Sequence, residues 1–207
     1  MQLRHETTLT GEAYVSQQAW RTASLTRCPL HPRGRCGLAK HTAYARVEPV
    51  GMRVARYYCA AGRRTFSLLP DCRASRLSST LAEVEQVVIA AEAAPSLGQA
   101  AVRLRPDIEA QGALRWVRRR LRPVRVALLA IATLWPQALG EAGGVPALCA
   151  ARATLGTPAL VRLRGVAGRQ LWSLPPPLGL GPRTARRRSR RHRLQHETGP
   201  DPPSGCG

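Results

Sequence analysis

Between residues 78 and 135 apolar side chains recur at helical spacing, whereas between 24 and 72 they come in short alternating pieces broken by glycine and proline. In the first region Leu81, Val84, Val87, Val88 and Ala91 share one face of a 3.6-residue period. Thr80, followed three residues on by Glu83, is a capping box, in which each partner satisfies a free backbone N–H of the first turn. Pro95 ends that helix, and Ser96 with Gln99 opens a second over Leu97, Ala100, Ala101 and Leu104. Asp107 is placed to cap a third, whose seam is Leu114, Val117, Leu121 and Val124. Pro123 has no N–H and crowds the preceding turn, so it predicts a kink or an end there. The apolar stretch Val126 to Trp135 then follows as a packing helix.

In the other region Tyr44–Val47 and Val54–Tyr58 alternate as the strands of a small antiparallel ribbon do. Residues 1–23 read as a polar lead-in with a short helix around Ala13 to Trp20. Residues 141–207 are rich in Gly, Pro and Leu without a clean period, and include PPPLGLGP and the tract RTARRRSRRHR at 183–193. Such composition predicts a low-complexity, largely disordered basic tail. The expected architecture is small α+β: a β module at 24–72, a helical module at 78–140, and the tail.

Composition sharpens this. Aromatics make up 4% of the 207 residues, with one Phe, so the large anchors of an enzyme-sized core are scarce. The formal net charge is +20, and Lys40 is the only lysine among the 32 basic residues. That balance favours a partner rich in phosphate, DNA ahead of a membrane surface, through charge neutralisation and counterion release. The uncharged stretch from Val126 to Gly140 contains Pro136 and falls short of the roughly 20 apolar residues a spanning helix needs. MQLRHETTLTGEAY carries charges where an export signal needs an apolar run. A cytoplasmic, nucleoid-associated location is expected, with cysteines reduced and free to act as ligands.

CPLHPRGRCGLAKH, residues 28–41, offers Cys28, His31, Cys36 and His41 with glycines to bend the backbone. Its partner YYCAAGRRTFS, residues 57–67, offers Cys59 but has Gly62 where a CxxC pair would place a second cysteine. A structural zinc ion takes four Cys or His ligands, supplied by two short loops. Two sets complete one site: Cys28, Cys36, Cys59 and Cys72, or Cys28, His31, Cys36 and Cys59. The alternative is a degenerate, metal-free ribbon whose cysteines act as small buried hydrophobes. Cys149 and Cys206 have no neighbouring ligands and are expected to be incidental.

Cys28-Pro29, Tyr44-Ala45-Arg46, Tyr58-Cys59 and the run Arg63 to Pro70 resemble the zinc ribbon that opens many bacterial insertion-sequence transposases. The resemblance covers residues 24 to 122. It implies a zinc-ribbon-like module with Cys28 and Cys59 as ligands, a helix-turn-helix-like module behind it, and DNA as partner. A transposase catalytic subunit or another protein is a further expected partner. Gly62 departs from the pattern. The candidate helix pair is Ser96–Leu104 and Gly112–Arg122, whose Arg115, Arg118, Arg119 and Arg122 lie off the apolar seam, suited to phosphates and guanine edges. In the ribbon Arg56, Arg63 and Arg64 stand among Tyr57, Tyr58 and Phe66. The plain alternative for the helix is a solvated basic face. Asp71, Asp107 and Asp201 are the only aspartates and sit in a ribbon exit, a helix start and the tail, so the carboxylate set of a transposase catalytic domain is not expected. The expectation is a non-enzymatic DNA-binding protein, transposase-associated or regulatory; the alternatives are a protein-interaction module or a truncated transposase remnant.

Overall fold

A computed structural model of the chain describes residues 1–135 and 147–181. In chain order the elements are β1 (Gln2–His5), α1 (Gly11–Ser16), β2 (Leu38–Lys40), β3 (Tyr44–Ala45), β4 (Arg53–Val54), β5 (Arg56–Cys59) and β6 (Arg64–Pro70). The helices α2 (Leu81–Ala93), α3 (Leu97–Leu104), α4 (Ala110–Leu134), α5 (Ala147–Leu155) and α6 (Ala159–Ala167) follow. The fold is small α+β. Four strands form a mixed sheet in the order β1-β6-β5-β2, and β3 and β4 pair separately. β5 and β6 are antiparallel, closing a hairpin from Cys59 to Arg64, while β1 lies parallel to the far half of β6.

β1 replaces the expected polar lead-in. Its sequence carries no alternation; a non-local tie holds it instead, the Arg4 guanidinium donating twice to Asp71 at 2.8 and 2.9 Å. One face of the sheet packs Phe66, Leu68 and Tyr57 around Cys28, Cys36 and Cys59. Leu69, on the opposite face of β6 from Leu68, belongs to the helical core.

The α2 capping box forms as expected: Thr80 N–H donates to Glu83 Oε2 at 2.7 Å, and Glu83 N–H to Thr80 Oγ1 at 3.2 Å. Leu81, Val84 and Val88 pack against Leu121, Val124, Ala127, Leu128 and Ile131 of α4. Val87 meets Ala101 of α3 and Ala113 and Val117 of α4.

Three expectations are corrected. First, α4 passes through Pro123 as one 25-residue helix. Seam residues on both sides of the proline are buried in the same cluster. At about 1.5–3 kcal/mol for each large side chain removed from water, that burial outweighs the roughly 3 kcal/mol an interior proline costs. Second, Asp107 does not cap α4. It pairs with Arg105 at 2.6 and 2.7 Å, and Glu109 takes the cap position without a side-chain bond.

Third, residues 147–181 fold into the core. Leu148, Leu160, Leu163, Leu171, Leu174, Leu178 and Leu180 are buried with the α2 and α4 seams. Two buried charges clamp this stretch. Glu85 accepts the Leu160 N–H at 2.9 Å, at the start of α6, where Pro158 offers no side-chain cap. Arg164, 1% exposed, donates to the carbonyls of Asp71 at 3.2 Å, Leu178 at 3.1 Å, Pro177 at 2.6 Å and Arg73. Burial pushes Arg164 down to about 10, so it stays charged at neutral pH. The 183–193 tract and the rest of the expected tail beyond Gly181 lie outside the described residues.

Candidate metal centre

Two tight turns build the cluster. In the first, His31 N–H donates to the Cys28 carbonyl at 3.1 Å, folding Cys28-Pro29-Leu30-His31 back on itself. The chain then bends at Gly34 and Gly37, whose φ of +81° and +63° lie in the left-handed region that glycine occupies freely. β2 follows, and its register sets Leu38 opposite Cys59. Cys36 is thereby carried to the β5–β6 turn, where the Ala61 N–H donates to its carbonyl at 3.1 Å. In the second turn the Gly62 N–H donates to Cys59 Sγ at 3.2 Å.

The outcome is that ligand atoms of Cys28, His31, Cys36 and Cys59 all lie within 4.8 Å of one another. His31 Nδ1 is 3.6 Å from Cys28 Sγ and 3.4 Å from Cys59 Sγ. A tetrahedral ion with metal–sulfur bonds of about 2.3 Å and metal–nitrogen bonds of about 2.0 Å has S···N edges of about 3.5 Å. These two separations match such edges, and all four ligand atoms are close enough together to hold a metal ion.

Electrostatics agree. Burial raises the Cys28 thiol, but hydrogen bonds from His31, the local backbone and Cys59 outweigh it and hold Cys28 at about 6. Cys36 is pushed up to about 11 by burial and then by Cys59 and Cys28, which compete with it for negative charge. A metal ion binds cysteine as thiolate, so loading this site releases protons.

The missing ligand at Gly62 has a physical account. A Cβ there would lie 2.7 Å from Leu30 Cδ1, 3.2 Å from His31 Cε1 and 3.3 Å from Cys59 Sγ. Leu30 and the His31 imidazole fill the space a side chain at 62 would take, and the cluster's fourth member, His31, comes from the first turn.

Of the two sequence-derived sets, the one containing His31 is assembled. Cys72 is elsewhere, buried with Tyr14, Ala19 and Met52, and burial pushes its thiol up to about 11. The reason is strand length. Cys72 follows the far end of β6, and the six steps from Arg64 to Pro70 carry the chain about 20 Å from the hairpin turn. His41 is exposed beside the Thr42 hydroxyl at 3.2 Å and joins no cluster.

The expected nucleic-acid residues divide between two elements. Arg63 and Arg64 are exposed on the β5–β6 hairpin, while Arg56 is half-buried with its guanidinium 5.3 Å from the Tyr44 ring centre. Arg115, Arg118, Arg119 and Arg122 are exposed on α4. Arg120 turns inward, stacking 3.8 Å from the Trp116 ring centre and donating to Ser79 Oγ at 3.0 Å. The Trp116–Arg120 spacing of four residues was the available signal for that inward turn. Among the described residues no helix is long and apolar enough to cross a membrane.

No protein-family model, curated protein or solved structure matches the chain. The resemblance to transposase ribbons therefore stands on the residues that carry it.

Proposed function

We propose that this chain is a DNA-binding protein whose β module is held in shape by one zinc ion on Cys28, His31, Cys36 and Cys59. All four positions of a tetrahedral site come from the protein, leaving none for water or substrate, so the ion is a scaffold rather than a Lewis acid. Its binding energy ties the loop at 28–37 to the β5–β6 hairpin in a sheet of short strands. The observation that carries the DNA reading is α4, which sets exposed arginines at 115, 118, 119 and 122 on a helix without an acidic residue. Within that class the ribbon residues favour a transposase-associated or regulatory role.

Two measurements test the proposal. Metal analysis of purified protein is expected to give one zinc per chain, lost in Cys28→Ser and Cys59→Ser and kept in Cys72→Ser; retention in Cys59→Ser refutes the site. Anisotropy of labelled DNA is expected to show binding at about 50 mM salt that weakens steeply by 200 mM. No binding to any DNA at low ionic strength refutes the DNA reading.

A further inference from the structure

The four arginines of α4 are not equivalent. Arg115 and Arg119 line a concavity of about 540 Å³, together with Arg76, Arg105 and Trp116; Arg118 and Arg122 do not. A second concavity of about 370 Å³ is lined by Tyr44, Arg46 and Arg73. Arg76, Leu77 and Ser78 belong to both, so the two adjoin as one continuous trough. Among the described residues lining it, Glu48 is the only carboxylate. Asp107 stands beside it, already paired with Arg105.

Each half of the trough repeats one device: an aromatic ring carrying two guanidiniums. Arg46 and Arg56 lie 5.0 and 5.3 Å from the Tyr44 ring centre, and Arg105 and Arg120 lie 5.1 and 3.8 Å from that of Trp116. A ring beneath a guanidinium fixes its plane. At Trp116 both guanidiniums are bonded within the protein, Arg105 to Asp107 and Arg120 to Ser79 and the Trp116 carbonyl, so the exposed cations of that half are Arg115 and Arg119. At the junction the Arg76 guanidinium donates to the Gly181 carbonyl at 3.1 Å.

We infer that this trough binds the phosphodiester backbone of single-stranded DNA. The inference rests on the DNA-binding reading and specifies the form of DNA and the surface that takes it. Two adjoining concavities, each with its own ring and arginines, suit successive phosphates and so a polymer over a single small anion. The concavity of the trough argues against a duplex. A helix that enters the major groove must present its basic face outward on all the arginines used. Here Arg115 and Arg119 share a concave surface with Arg76, a shape suited to a single strand rather than to a duplex.

The test compares two pairs of substitutions, equal in charge and all at exposed positions, one pair lining the concavity and one pair outside it. Arg115→Gln with Arg119→Gln is expected to weaken binding of a labelled oligo-dT strand at least tenfold at about 50 mM salt. It is also expected to flatten the plot of log affinity against log salt by about 1.4, the value for two lost contacts to a single strand. Arg103→Gln with Arg125→Gln, exposed positions that line neither concavity, is expected to change affinity less than about twofold, and the unaltered protein to prefer the single strand over a duplex of equal length. Binding that falls equally in both pairs, or a duplex held as tightly as the strand, overturns the trough while leaving the DNA-binding reading in place. No binding of either DNA form overturns both.

Discussion

At the scale of the residue, the candidate metal cluster takes Cys28, His31 and Cys36 from the first loop and Cys59 from the hairpin. His31 and Gly62 form a couple: the imidazole sits where a side chain at 62 would go, 3.2 Å from its Cβ position. His31→Ala alone is expected to lower zinc affinity sharply, by a factor of 10² or more, since one of four ligands is lost. His31→Ala with Gly62→Cys is expected to recover part of it: Gly62 does not have the left-handed φ that would strain a cysteine, and the exposed Leu30 side chain, 2.7 Å from the new Cβ, must swing aside. Competition with a chromogenic chelator measures both; a double variant no better than the single shows that position 62 does not address the ion. The cluster was partly legible beforehand. Cys28, His31, Cys36 and Cys59 announce themselves by type and crowding. Spacing alone left His31 and Cys72 as rivals, because it does not say toward which end of β6 the chain has travelled.

At the scale of the element, local signals with a single physical cause were readable and those settled by distant partners were not. Thr80 and Glu83 form their box because both halves lie within one turn. β1 is invisible in Gln2–His5 because its partner is residues 67–70 and its anchor is Asp71. Pro123 reads as a stop, yet α2 covers the seam on both sides of it. Its missing N–H nonetheless remains a cost inside α4. Pro123→Ala is expected to raise unfolding stability by about 2 kcal/mol, the helix-propensity gain less the entropy returned to the unfolded chain. Urea denaturation followed by circular dichroism measures it; a fall in stability shows that the half-buried ring contributes packing that alanine does not replace.

At the scale of the whole molecule, the helical core extends through Leu180. Leu171, Leu174, Leu178 and Leu180 carry no helical or strand period, because prolines and glycines interrupt them, and their burial comes from a surface already built by α2 and α4. No amphipathic pattern exists there to be read. A chain cut after residue 140 is expected to lose cooperative unfolding and to bind a hydrophobic dye, since Leu81, Val84 and Val88 lose their cover. A chain cut after 181 is expected to melt within a few degrees of the full one. Equal melting of the two shows that the closing stretch adds nothing to the core.

Arg164 makes the closure specific, reaching back across more than ninety positions to the carbonyls of Asp71 and Arg73. On a nascent chain this sets an order of events. The cysteine turns at 28–62 can gather an ion as soon as they emerge, and α2 to α4 can pair next. The end of β6 keeps bare carbonyls until the last helix arrives, so completion of the fold waits on synthesis rather than on the metal.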